Sequence, residues 1–170
     1  QRQMCIRDSI ASTYAATLFA QGKIDKIILT RPNVASGRSL GFFPGTMEEK
    51  MAPWVIPFTD VLHACLGEGA FNIAMQKKQI DIVPFEVMRG RTFNNAFVIL
   101  DEAQNTSPAE MKMFLTRIGD ESKVLLNGDI KQSDLRSTSG LKTIIDMIQK
   151  QKMPVGHIEF TVDDIVRSGI

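Results

Sequence analysis

The chain reads as an α/β domain built on a mostly parallel sheet with helices on both faces. Three observations predict this. Short apolar runs without polar alternation recur, as in Ile27-Ile28-Leu29 and Ala96-Phe97-Val98-Ile99-Leu100. Strands buried on both faces have this pattern. Helix signals fall between the runs, the order expected of parallel strands joined by crossovers. The 170 residues, 44% of them hydrophobic, suffice for one core of ordinary size.

The elements follow in order. Ile10 to Ala20 is an apolar, small-residue helix that stops at Gly22. Lys26 to Thr30 is a buried strand ended by Arg31-Pro32. Asn33 to Gly45 is loop. Thr46 and Glu49 form a capping-box pattern that opens a helix, which Pro53 and Pro57 break into pieces, with Asp60 to Leu66 continuing. Glu68 to Lys78 is a further helix and Ile80 to Val83 a short strand before Pro84. Phe97 to Leu100 is the strongest strand signal. Ser107-Pro108-Ala109-Glu110 supplies cap, first-turn proline and box glutamate for a helix reaching Ile118. Val124 to Leu126 is a strand ending at Asn127-Gly128-Asp129. Leu141 to Lys150 is an amphipathic helix, and His157 to Thr161 a last strand.

Composition excludes several classes. Twenty Lys+Arg against nineteen Asp+Glu leave a net charge of +1, unlike a polybasic nucleic-acid coat. No apolar run approaches the roughly 20 residues of a membrane span, so no membrane role is expected. Two cysteines, Cys5 and Cys65, make no disulfide framework. With no signal peptide visible, a cytoplasmic location is expected. His63 and His157 read as structural, Cys65 as a small core residue, and Trp54 as a core or subunit contact. Residues 1–9, QRQMCIRDS, lack period and cap and read as a foreign or disordered leader to one domain, 10–170, that is incomplete at its N-terminus.

The chemistry belongs beyond the carboxyl ends of the strands. There, Asp101-Glu102-Ala103-Gln104 follows the strongest strand. One carboxylate, Asp101, suits Mg²⁺. The other, Glu102, suits the role of base toward an attacking water. Asn127 to Gln132 follows the next strand, where a neutral amide suits a phosphate. Arg167 follows the last strand and reads as an arginine that stabilises transferring phosphoryl charge. Thr30, Arg31, Arg89 and Arg91 are candidate contacts to single-stranded nucleic acid.

These motifs, with Leu40-Gly41-Phe42-Phe43-Pro44-Gly45, Glu49-Lys50, Met88 to Thr92, Met111 to Arg117 and Asp164-Ile165-Val166-Arg167, occur in an order and spacing that resembles the PhoH-like family of P-loop ATPases. The resemblance runs from about Ile10 to the C-terminus. It implies a RecA-like P-loop NTPase three-layer sandwich related to superfamily 1 helicases, with ATP and Mg²⁺ as cofactors. It implies catalytic roles for Asp101, Glu102 and Arg167, with Asp101 on the metal, and nucleotide contacts at Gln104, Asp129 and Gln132. It also implies a role in RNA metabolism or unwinding, a single-stranded RNA partner and a ring-shaped homo-oligomer.

One departure stands out. The family carries G-x-x-x-x-G-K-[ST] between its first strand and first helix. Here Gly22-Lys23 is followed by Ile24, and no such motif occurs. The chain therefore resembles a family member lacking its first strand and Walker A loop. Without the backbone N–H cradle and lysine of that loop, weak or absent ATP binding is expected of this chain. Two functions follow: an RNA-linked ATPase for the intact protein, or a non-hydrolytic RNA-binding or scaffold subunit that has lost its phosphate loop.

Overall fold

A computed structural model describes residues 6–32, 47–161 and 164. Its elements are α1 (Ile6–Ala20), β1 (Lys26–Thr30), α2 (Met47–Leu66), α3 (Glu68–Gln76), β2 (Ile80–Ile82), β3 (Ala96–Leu100), α4 (Pro108–Leu115), β4 (Lys123–Leu126) and α5 (Gly140–Gln151). All four strands are parallel and lie in the order β2-β1-β3-β4.

The sheet separates two apolar layers. On one face Ile27, Leu29 and Ile99 pack against Ala15 and Leu18 of α1 and Val55, Phe58 and Leu62 of α2. On the other, Ile28, Val98 and Leu100 pack against Met111 and Phe114 of α4 and Leu141 of α5. The alternation follows from the period of two along a strand. Every residue of β3 is buried, as its unbroken apolar run requires. β4 pairs with β3 along one side, and its Val124, Leu125 and Leu126 stay half-buried. On α5, Ile144, Ile145 and Ile148 are half-buried too.

Most element boundaries match the sequence expectation within a few residues, and four features differ. α1 starts at Ile6 rather than Ile10, so residues 6–9 are helical; Asp8 sits favourably in the first turn. α2 is one 20-residue helix with Pro53 and Pro57 inside it. Met51, Val55, Phe58 and Leu62 form a buried stripe along α2, and this packing outweighs the two backbone N–H groups the prolines remove. Thr59 bonds back to the Val55 and Ile56 carbonyls. α4 ends at Leu115, three residues early, its start held by both limbs of the Ser107–Glu110 box.

The fourth difference is His157–Thr161, which pairs with no strand among the described residues and leaves Ile158 78% exposed. An alternating pattern makes a strand only where a neighbouring edge lies alongside it. Cys65 is exposed rather than core. His63 stands edge-on to Phe71 at 5.3 Å. The Asn33–Gly45 loop, Thr46, Phe42, Phe43 and Arg167 lie outside the described residues. Among those described, no helix is long and apolar enough to cross a membrane.

Candidate active site

The site is a consequence of strand register. Thr30 pairs with Leu100, and Leu100 with Leu126. One residue further, Arg31, Asp101 and Asn127 stand in a row at the carboxyl ends of three adjacent strands. The backbone holds that row together. The Asp101 N–H donates to the Thr30 carbonyl at 2.9 Å, and the Asn127 N–H to the Leu100 carbonyl at 2.9 Å. The Ala103 N–H donates to the Asn127 carbonyl at 2.8 Å. The Asn127 side-chain amide donates to Asp101 Oδ1 at 3.0 Å and to Asp8 Oδ1 at 2.7 Å.

Glu102 makes the turn in a left-handed conformation, φ 50° and ψ 37°. For a residue with a Cβ this costs about 1 kcal/mol, and it aims the carboxylate back toward the strand ends. Gln104 fixes that carboxylate, donating from Nε2 to Glu102 Oε2 at 2.5 Å. Gln104 Oε1 in turn accepts from the Asp129 N–H at 3.1 Å. Gly128 passes so close that a Cβ there would lie 2.6 Å from Gln104 Oε1.

A cleft of about 220 Å³ opens over the row, lined by Arg31, Asp101 and Glu102 from the strand ends and by Trp54, Pro57 and Phe58 of α2. Arg7 and Asp8 of α1 complete it. Arg31 lies 3.6 Å from Asp101 and 3.7 Å from Glu102, and its guanidinium stacks over Trp54 at 4.9 Å. Trp54 is 43% exposed at this cleft, so of the core and subunit-contact readings the core one does not hold. Burial, then the Asp8 charge, pushes the Asp101 carboxyl from 3.8 up to about 6, against the pull of Arg31.

The expected site residues divide into three groups. Asp101, Glu102 and Arg31 meet in the cleft. Gln104, Asp129 and Gln132, expected to contact nucleotide, do not line it. Gln104 is 1% exposed and positions Glu102, while Gln132 is exposed and donates to Asp129 Oδ2 at 2.8 Å. Thr30 is 1% exposed and shares the sheet face of Ile28, opposite to the cleft, so it offers no surface for nucleic acid. Arg89 is exposed away from the cleft. Arg91 pairs with the buried Asp81 at 3.2 Å and stacks on Phe93 at 5.4 Å. Sequence reasoning missed that Trp54 lines the cleft and that the Asn127 amide holds Asp101 and Asp8. Asn127 was readable as a polar group one residue past β4, whereas Trp54 depends on the placement of α2.

The donors suit a hard divalent cation. Mg²⁺ takes one or two carboxylates and completes its shell with water and phosphate oxygens. Asp101 and Glu102 match that need, and no cluster of three or more His, Cys, Asp or Glu among the described residues forms an all-protein cage. At about 220 Å³ the cleft is smaller than the roughly 300 Å³ lower end of small-molecule sites.

The family profile described as PhoH-like protein matches residues 7–170. The chain is 46% identical over 160 residues to the PhoH-like protein of Bacillus subtilis, covering 93% of this chain and 50% of that protein. It is 42% identical over 170 residues to Protein PhoH of Escherichia coli K12, covering 98% of this chain and 48% of the other. The PhoH-like protein of Synechocystis is 40% identical over 160 residues, at 93% and 48%. The chain thus spans about half the length of the curated relatives it matches. The parallel sheet is the RecA-like one of a P-loop NTPase-type family, and with a match running along nearly all of its length this chain belongs to the PhoH family.

Proposed function

We propose that this chain carries the hydrolytic side of an ATP site, that the intact protein is an ATPase, and that it acts on single-stranded RNA. The observation that supports it best is the row Arg31, Asp101, Asn127 at the carboxyl edge of the parallel sheet, with Glu102 beside it. Bound Mg²⁺ and ATP supply the phosphoryl group and neutralise its charge. Asp101 and Glu102 are the chain's metal and water side. Glu102 offers carboxylate oxygens to a water proton, and Gln104 restricts where those oxygens point. Asn127 keeps Asp101 oriented by donating to it.

The family resemblance puts a phosphate loop just before the helix that the sequence suggests from Ile10, and there this chain has Arg7 and Asp8, in the first turn of α1 and lining the cleft. Asp8 adds a third carboxylate, which repels phosphates. We therefore infer weak or absent ATP binding for these 170 residues. The RNA partner and a ring in which Arg167 meets the phosphates rest on the family resemblance, and a cytoplasmic setting on the lack of a visible signal peptide.

The test uses the intact gene product with Glu102→Gln. ATP should bind with nearly unchanged affinity while turnover falls by at least about 10²-fold. An unchanged turnover would remove Glu102 as the base. An intact product without ATP binding would favour the non-hydrolytic RNA-binding or scaffold role.

A further inference from the structure

Arg31 is held in an unusual way. Its guanidinium lies over the Trp54 ring at 4.9 Å, within the cation–π range. Its approaches to Asp101 and Glu102, 3.6 and 3.7 Å, are too long for charge-assisted hydrogen bonds. The aromatic ring is therefore its seat, and the carboxylates feel it mainly as a nearby charge. Arg31 thus lies near two carboxylates without bonding either, in a cleft that Arg7 and Asp8 also line.

We propose that Arg31 is a resident counter-ion that a divalent cation displaces from the carboxylates of Asp101 and Glu102, with Trp54 registering the exchange. The inference rests on the metal-site part of the function proposed above, and not on hydrolysis or RNA. A divalent ion in direct contact with carboxylate oxygens sits at about 2.0–2.1 Å. It carries twice the charge of Arg31 at a much shorter distance, so it wins the carboxylates and repels the guanidinium. The displaced arginine swings off the indole and uncovers its face. Arg31 then becomes available to a phosphate only when the cation is in place.

Trp54 is the sole tryptophan, so its emission reads this one contact. The experiment titrates the 170-residue chain with MgCl₂ alone at constant ionic strength. Acrylamide quenching of Trp54 and isothermal calorimetry are followed together, with circular dichroism as a check on folding. Quenching should rise and saturate with the calorimetric binding curve. In Arg31→Ala, quenching should start high and stay flat, and Mg²⁺ should bind roughly three- to ten-fold more tightly because its competitor is gone. If Arg31→Ala does not fold, Arg31→Gln serves, with the same expectation.

Saturating Mg²⁺ with no change in quenching would overturn the exchange. So would a neutral variant that binds Mg²⁺ equally or more weakly, or a folded chain that takes up no Mg²⁺ at all. The two ideas fail separately. Mg²⁺ uptake without Trp54 movement removes the exchange and leaves the ATPase reading standing. Trp54 movement in a protein whose intact form never hydrolyses ATP does the reverse.

Discussion

Asn127 and Asp101 stand side by side one residue beyond the ends of β4 and β3, and the Asn127 amide donates to the Asp101 carboxylate at 3.0 Å. The same amide also serves Asp8 at 2.7 Å. Asn127 is 5% exposed, so water does not easily replace it. Asn127→Ala should destabilise the chain by about 1–3 kcal/mol, because two carboxylates lose a buried donor. Asn127→Asp should cost more above pH 6, where a further negative charge joins the cluster. Urea unfolding at pH 5 and pH 8 separates the two variants.

Asp101 gives stability a pH slope of definite sign. Its carboxyl is raised from 3.8 to about 6, chiefly by burial. Between those values the folded state keeps a proton that the unfolded state has lost. Stability attributable to Asp101 therefore falls as pH rises from about 4 to about 6, then levels. The full effect is up to about 3 kcal/mol. Asp101→Asn should match the wild type near pH 4 and exceed it at pH 8. An equal difference at both pH values in thermal melts would dissociate the slope from Asp101.

Gly128 is required by closeness. A Cβ would lie 2.6 Å from Gln104 Oε1 and 2.8 Å from Leu141 Cδ2. Gly128→Ala should cost about 1–3 kcal/mol. It should also loosen Glu102 by shifting the amide that holds it. Amide exchange at Asp129, whose N–H donates to Gln104, should speed up in this variant.

Arg91 and Arg89 should part company. Arg91 compensates Asp81, which is 8% exposed, so Arg91→Ala should lower stability by about 1 kcal/mol. Arg89→Ala should leave stability unchanged. If the intact protein binds RNA through Arg89, that variant should flatten the salt dependence of affinity by about 0.7 in log–log slope. A flattened slope in Arg91→Ala alone would reverse the two roles.

Particular residues explain how far the sequence was legible. The unbroken apolar run before Asp101 could only be a doubly buried strand, and it placed the carboxylate pair at the sheet edge correctly. The Ser107–Glu110 cap was equally local and equally readable. Pro53 and Pro57 misled because propensity describes an isolated helix, while α2 is held by Val55, Phe58 and Leu62 in the core. The resemblance implies a nucleotide contact at Gln104, while its buried side chain bonds Glu102 and the Asp129 N–H, partners that only the folded chain brings to it. The Arg31–Trp54 stack joins residues 23 positions apart, and no spacing rule announces it.

Among the described residues β4 is paired on one side only, and this bears on how the chain behaves in a tube. A row of backbone donors and acceptors on three half-buried apolar residues is a template for strands from other molecules. Lys123 is the one charged side chain on that strand to discourage such pairing. Solubility should therefore be governed by protein concentration more than by net charge. Material that is clear when dilute should scatter light on concentration, with intermolecular β-structure growing in the infrared amide band.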